Sequence, residues 1–312
     1  MGARPPNFAD ANSPSGGAEF SILGVPFDAS SSFRSGSRAA PNAMRDASWN
    51  FETYSIEHGV DLTDIAIHDC GNLEDFVRPE DMVEAVKEAV AGILKGRSFP
   101  MIMGGEHSLT PGVVAALKEA GTGGPKGFGV IVLDAHMDFR DEYLNMRQSH
   151  ACASRRTAEM VGPESVVPIG VRSVSREEME EIQKDMHSRF RFITADQVRK
   201  EGMAASVKKA LSLVGKDQIY LSLDIDCLDP AYAPGTGTPE PFGLTALDVR
   251  EAIDILAPRL VGFDIVEIAP NYDSGNTAAL GARLVREVIA AVHASRRAGE
   301  PVNRRAGEPE DR

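Results

Sequence analysis

Short runs of branched and aromatic residues recur along the chain, separated by stretches whose apolar positions fall three or four apart. The runs predict strands at FSILGV (20–25), DIAIHD (64–69), FPMIMG (99–104), FGVIVLDA (128–135), VVPIGV (166–171), RFITA (191–195, led by Phe190), QIYLSLD (218–224) and RLVGFDIVE (259–267). Between them, Met82, Val86, Val90 and Ile93 share one helical face, as do Val207, Ala210, Leu211 and Val214. A last helix reads through Leu280, Leu284, Val288 and Val292. Apolar strands alternating with helices predict an α/β fold whose mainly parallel sheet is covered on both faces. Eight strand-helix units suit a closed barrel as well as an open three-layer sheet, and periodicity does not separate the two. Either architecture places a site at the carboxyl ends of its strands.

Those ends carry the polar residues. FPMIMG runs into Gly104, Gly105, Glu106 and His107. VIVL runs into Asp134, His136 and Asp138, QIYLSL into Asp224, Asp226 and Asp229, and the last strand carries Asp264 and Glu267. On a continuing strand, Asp134, His136 and Asp138 would share one face and converge. Carboxylates gathered that closely repel one another unless a cation lies between them. Asp134, Asp138, Asp224 and Asp226 bring four negative charges, and His107 and His136 bring two neutral nitrogens. Two divalent ions neutralise that set and one does not, so the count predicts a binuclear centre, with ions ~3.5–4 Å apart. Oxygen-rich donors with two imidazoles and no thiolate suit Mn²⁺, and Zn²⁺, Co²⁺ or Ni²⁺ less well. A lone D-x-D or D-x-H is more often a turn; two of them on separate apolar strands, beside a Gly-Gly-x-His, are a ligand pattern. His58, His68, His187 and His293 lie outside it and read as surface or core histidines. GTGGPKG (121–127) lacks the spacing of a phosphate loop and reads as a connection.

Composition narrows the partners. The 312-residue chain has a formal charge of −13, which argues against nucleic-acid binding and leaves room for small cations. Cys70, Cys152 and Cys227 are widely spaced with no C-x-x-C pair, so neither a disulfide framework nor a structural zinc site is expected. No secretory signal or membrane span is legible, and a cytoplasmic protein is expected. Residues 1–17, rich in Pro, Gly, Ser and Asn, read as a flexible lead-in. Residues 295–312, which hold RRAGEP twice across Arg296–Pro309, read as a flexible charged tail, leaving 18–294 as the folded domain.

GGEHS (104–108), DAHMD (134–138) and SLDIDCLDPAYAPGTGTPEP (222–241) together resemble the ureohydrolase family of arginases and agmatinases. GVPFD (24–28), SFRSGSRAAP (32–41) and DIVEIAPNYD (264–273) extend the resemblance over nearly the whole chain, and its details are most similar to agmatinases. The resemblance implies a three-layer α/β/α domain with an eight-stranded mainly parallel sheet, two Mn²⁺ per subunit, and a homotrimer or homohexamer. Carried over by position, His107 and Asp138 would bind one ion, His136 and Asp226 the other, and Asp134 and Asp224 both. His150 matches the family's proton-shuttling histidine, Glu267 the glutamate that grips the guanidinium, and Asp138 would also hydrogen-bond the attacking oxygen. The implied reaction is hydrolysis of agmatine to putrescine and urea. FRDEYLNMRQSH (139–150) lacks the Ser-Gly-Asn approach of arginases. Its Asp141 and Glu142 suit a second cation or form a solvated acidic turn, and Arg140 and Arg147 would pair with them or meet a carboxylated substrate. The alternatives are another guanidino substrate (aminopropylagmatine, guanidinobutyrate, guanidinopropionate or arginine), a non-catalytic member of the family, and a single-zinc deacetylase of similar architecture.

Overall fold

A computed structural model describes residues 6–184 and 188–299. Eight strands form one sheet: β1 (Phe20–Val25), β4 (Ile67–Asn72), β5 (Phe99–Gly104), β6 (Gly129–Leu133), β7 (Val166–Val171), β8 (Ile193–Thr194), β9 (Ile219–Asp224) and β10 (Leu260–Val266). Their order is β4-β1-β5-β10-β9-β6-β7-β8, and every pairing is parallel. A two-stranded antiparallel hairpin, β2 (Tyr54–Ser55) and β3 (Val60–Asp61), stands apart. The helices are α1 (Ala40–Ser48), α2 (Pro79–Lys95), α3 (Thr110–Glu119), α4 (Ala153–Val161), α5 (Arg176–Glu181), α6 (Ala195–Glu201), α7 (Met203–Val214), α8 (Ala246–Leu256) and α9 (Asn276–Gly299).

The choice between barrel and sheet is decided by where alternate strand residues go. In β6, Ile131 and Leu133 enter a core shared with α1, α7, α8 and α9, whereas Val130 and Val132 enter a second core shared with α2 and α3. β9 divides likewise, with Leu221 and Leu223 on one side and Tyr220 on the other. Two separate cores on the two faces make a three-layer α/β/α domain. The central strands β1, β5, β6, β7 and β9 are buried at every position, which is why they read as unbroken apolar runs.

Departures from the sequence reading fall at the edges. The run at 64–69 begins in a 3₁₀ turn, Leu62–Asp64, capped by Asp61, so edge strand β4 starts three residues later. The other edge strand, β8, is cut to two residues because Thr194 caps α6. The flexible lead-in expected over residues 1–17 needs correction for its described part. Phe8 is fully buried, its N–H donates to Asp69 Oδ2 at 2.7 Å, and buried Asp10 pairs with Arg286 on α9. Burial of Phe8, the Asp10–Arg286 pair and backbone bonds from Asn12 and Ser13 to Ile67 together oppose the entropy cost of ordering this polar segment. At the other end α9 continues to Gly299, past the expected boundary at 294, and Arg296 stacks over Phe20 and Phe99 at 5.6 and 5.3 Å. Residues 300–312, most of the expected tail, lie outside the described residues.

Candidate metal centre and active site

Four strand ends meet at the carboxyl edge of the sheet. β6 stops at Leu133, so Asp134, His136 and Asp138 do not continue a strand as the alternation predicts. They converge by turning. Asp134 Oδ1 accepts the backbone N–H of His136 at 2.6 Å, and Asp224 Oδ1 accepts that of Asp226 at 2.8 Å. Each motif thus uses one oxygen of its first acid to bend the chain and leaves the other free. Asp138 and Glu267 hold left-handed backbone, with φ of 49° and 64°. For non-glycine residues such conformations store strain and cluster at functional sites.

His107, in the turn between β5 and α3, lies at the middle. Its Nδ1 is 3.3 Å from Asp134 Oδ2, 3.1 Å from Asp138 Oδ2 and 3.4 Å from Asp224 Oδ2. His136 Nδ1 lies 2.9 Å from Asp226 Oδ2 and 3.7 Å from Asp134 Oδ1. Two donor groups result, His107–Asp134–Asp224 and Asp134–His136–Asp226, sharing Asp134. Glu267 hangs beside them, its Oε1 accepting the His107 N–H at 2.7 Å.

The surroundings of His107 test whether these groups fit metal ions. Its Nε2 is 3.0 Å from Ser222 Oγ, and Ser222 donates its own proton to Asp264 Oδ1 at 2.6 Å. Asp264, fully buried, also accepts from Thr110 at 2.8 Å and from Tyr220. With its hydroxyl proton committed, Ser222 must accept from His107 Nε2–H. A neutral ring would turn its Nδ1 lone pair on three carboxylates, so the acids hold a proton at that point unless a metal ion takes its place. Both Nδ1 of His107 and Oδ2 of Asp134 are buried without a hydrogen-bond partner. Lone pairs turned on lone pairs in a dry pocket call for a cation, and a carboxylate behind the imidazole is the usual support for a metal-ligating histidine.

Charge is the dominant feature. Burial disfavours the charged ring of His107, yet Asp134, Asp138 and Asp224 outweigh it and hold the pKa well above the usual histidine value. His136 is raised in the same way, against its burial, by Asp226 and Asp134. Burial and then the charge of Asp134 push Asp138 up to about 7. Asp224 is raised well above the carboxylate range by burial and by Asp226 and Asp134. Asp226 is held low despite its burial, because the charge of His136 and hydrogen bonds favour its anion. Glu267 is raised by burial and by Glu106. His150 is pushed down to about 4 by burial and by the charges on His136 and His107.

A cavity of about 320 Å³ opens onto the cluster, with His150, Arg140, Tyr143, Ser173 and Glu178 in its walls. Tyr143 meets the His150 ring edge-on at 5.8 Å. Asp141 is not among the lining residues. It is bound by Arg147 at 3.0 Å and Arg156 at 2.9 Å, with Arg155 at 3.6 Å, and its pKa is lowered by Arg156 in particular. The loop's acid is therefore spent on anchoring it to α4, and Glu142 is exposed. Asp141 is thus paired with arginines beside the cavity instead of standing free in its wall. A larger hollow of about 730 Å³, bordered by the 121–127 loop, lies at the amino edge of the sheet and brings together no such donor cluster. His58, His68 and His293 sit away from the centre, against Glu287, Ser13 and Glu19 respectively, and His187 falls outside the described residues. Ser222, Asp264, Ser30 and Glu106 support the site; Asp264 and Glu106 stood out in the sequence as polar residues at strand ends, whereas Ser30 carried no signal and Ser222 only its place in the 222–241 motif.

Fold and site together define a three-layer α/β protein with two overlapping groups of candidate metal donors at its strand ends. The Arginase family model matches residues 18–291, and the chain belongs to that family of hydrolases acting on guanidino groups. It is 35% identical over 276 residues to the agmatinase of Pyrococcus horikoshii, covering 87% of this chain and 91% of that protein. The N(1)-aminopropylagmatine ureohydrolase of Thermococcus kodakarensis is 34% identical over 280 residues, covering 88% and 91%. The crystal structure of the agmatine ureohydrolase of Thermoplasma volcanium superposes with a TM-score of 0.88 at 37% identity, covering 96% of this chain and 98% of that one.

Proposed function

We propose that this chain is a binuclear manganese amidinohydrolase that hydrolyses agmatine to putrescine and urea. The observation that carries the proposal is the pair of donor groups sharing Asp134 at the carboxyl edge of the sheet. His107 and Asp138 would hold one ion, His136 and Asp226 the other, with Asp134 and Asp224 reaching both. When bound, two such ions supply the Lewis acidity that makes water a nucleophile near neutral pH. The protein's own groups do the rest. Glu267, buried beside His107, would accept hydrogen bonds from the planar guanidinium and hold its carbon over the centre. Asp138 would accept the proton of the attacking water and fix its direction. Water adds to the guanidinium carbon, the carbon–nitrogen bond to the alkyl chain breaks, and the departing nitrogen needs a proton. His150, in the cavity wall, would take up the proton removed from the water and pass it to that nitrogen. Urea and an amine result.

Agmatine is favoured by the names of the three relatives above, each of which refers to agmatine or its aminopropyl derivative. One observation favours a second reading. Arg140 lines the cavity, stacked 5.1 Å over Tyr143 and 3.1 Å from the Glu177 carboxylate, so a guanidino acid would meet a cation there. We further propose a cytoplasmic homotrimer or homohexamer; among the described residues no helix is long and apolar enough to cross a membrane. A panel of agmatine, aminopropylagmatine, guanidinobutyrate, guanidinopropionate and arginine, assayed for urea with Mn²⁺-loaded protein, tests the substrate. Agmatine should be turned over fastest. Faster release from guanidinobutyrate or guanidinopropionate selects the second reading, and no urea from any of the five refutes both.

A further inference from the structure

We propose that Ser30 and Glu106 are positioning residues that set the tautomer of His150, placing its proton on Nδ1 and leaving Nε2 bare for proton transfer. The inference rests on His150 being the proton-transfer residue of the proposed reaction.

Three hydrogen bonds carry it. Glu106 is fully buried, and its carboxylate accepts the Ser30 N–H at 2.8 Å, the Ser30 hydroxyl at 2.5 Å and the Ser108 hydroxyl at 2.6 Å. An ionised carboxylate only accepts, so both hydroxyls must donate to it. Ser30 Oγ has then given away its single proton and keeps two lone pairs. One receives the backbone N–H of His150 at 3.0 Å, and the other faces His150 Nδ1 at 3.1 Å. With no proton left on Oγ to give, the nitrogen must be the donor. Ser149 Oγ lies farther from the same nitrogen, at 3.3 Å, and its hydroxyl can serve as donor or acceptor, so the direction is set by the shorter Ser30 contact. A neutral imidazole carries one N–H, so Nε2 is free to take up a proton and pass it on.

The three residues come from separate places: Ser30 follows β1, Glu106 follows β5 and His150 precedes α4. Burying a carboxylate costs free energy even when hydrogen-bonded, and its burial raises the pKa of Glu106. Holding Ser30 in one orientation is what that burial achieves. A glutamine at 106 would keep its carbonyl on the Ser30 N–H, which can only donate, and turn its NH₂ to the two hydroxyls. The chain of donors then reverses: Ser30 accepts from the amide, donates to Nδ1 and drives the imidazole proton to Nε2.

The test compares Ser30→Ala, Glu106→Gln, His150→Asn and the double variants with His150→Asn, all Mn²⁺-loaded, for kcat, KM and metal content. Ser30→Ala and Glu106→Gln should keep two ions and a KM near the parent's while kcat falls by about 10²-fold, the scale of a lost proton-transfer group. On the His150→Asn background neither should slow the enzyme further, since a positioning residue has nothing left to position. A multiplicative loss in the double variants would show a general structural role and overturn the proposal. Long-range ¹H–¹⁵N spectra of the Zn²⁺-loaded, ¹⁵N-histidine protein read the tautomer directly, the His150→Asn variant assigning the signal. Nδ1–H in the parent is expected, and Nε2–H would overturn the assignment. If His150→Asn turns over at the parent rate, the reading of His150 itself fails; if it is slow while Ser30→Ala is not, only the positioning role fails.

Discussion

At the scale of single residues, Asp134 and Asp224 each divide one carboxylate between two tasks. One oxygen closes the turn that brings the next ligand round, and the other faces His107. Replacing Asp134 by asparagine keeps an oxygen for the turn but removes the charge that both donor groups share. Elemental analysis of Asp134→Asn and Asp134→Ala should show both ions lost, where loss of His107 or Asp226 should release one first. Full occupancy in Asp134→Ala would refute the shared role. The thiols make a contrasting case. Cys152 is fully buried, and burial together with the nearby Asp138 charge pushes its pKa up to about 12; buried Cys227 is raised as well. Thiolate, not thiol, reacts. The Cys70 thiol is raised too, by burial and the Asp69 charge, but it alone is exposed. Of the three cysteines it alone should therefore react with a disulfide reagent near pH 8 before unfolding, and a second fast thiol would contradict the burial.

At the scale of elements, the turn from β5 into α3 is held by close backbone contact. A Cβ on Gly105 would lie 1.9 Å from the Phe27 carbonyl oxygen. That contact exists because Glu106 N–H donates to the same carbonyl at 2.8 Å, while the Gly105 carbonyl accepts from Glu267 N–H at 2.7 Å. Three strand ends are thereby tied at one point, with His107 two residues on. Gly105→Ala should destabilise the protein by ~1–3 kcal/mol, the range for forcing atoms into a packed interior. It should also weaken metal retention, because the turn can yield only by moving His107. Denaturant unfolding and metal titration check the two effects separately, and an unchanged midpoint with normal binding would contradict the contact.

For the whole molecule, charge decides the response to conditions. Arg45 on α1 pairs with Asp69 on edge strand β4 at 2.8 Å, and Asp69 also receives the N-terminal segment through Phe8. Burial opposes the Asp69 anion, yet the hydrogen bonds and charge of Arg45 win and hold its pKa below 3.8. A depressed folded pKa means stabilisation that is complete above the unfolded value and lost as pH falls through the folded one. Asp69→Asn should therefore lower stability at neutral pH and flatten the decline below about pH 4. Chelation acts through the other charge cluster. Removing bound ions leaves Asp134, Asp138, Asp224 and Asp226 facing one another in a buried site, so a chelator should lower Tm, and excess Mn²⁺ should restore it in a concentration-dependent way. A Tm indifferent to chelation would argue that no ions are held.

Strand identity and the gathering of acids and imidazoles at one edge of the sheet were legible because they are local or additive. A strand buried on both faces needs an apolar run, and four acids beside two imidazoles need neutralising whatever the path of the chain. The reactive carboxyl edge followed from parallel topology, and the family resemblance assigned His150 and Glu267. Other features are relations between residues far apart in the chain. The division of Ile131 from Val130 into separate cores, the ordering of Phe8, the diversion of Asp141 to Arg156, and the support of His107 by Asp264 all depend on neighbours 15 or more residues away or on which face a chain turns toward. Periodicity reports only what happens within a few residues. Tertiary packing alone determined which carboxylates stand free at the centre and which are consumed by arginines and hydroxyls, because burial and hydrogen-bond geometry are properties of the folded arrangement.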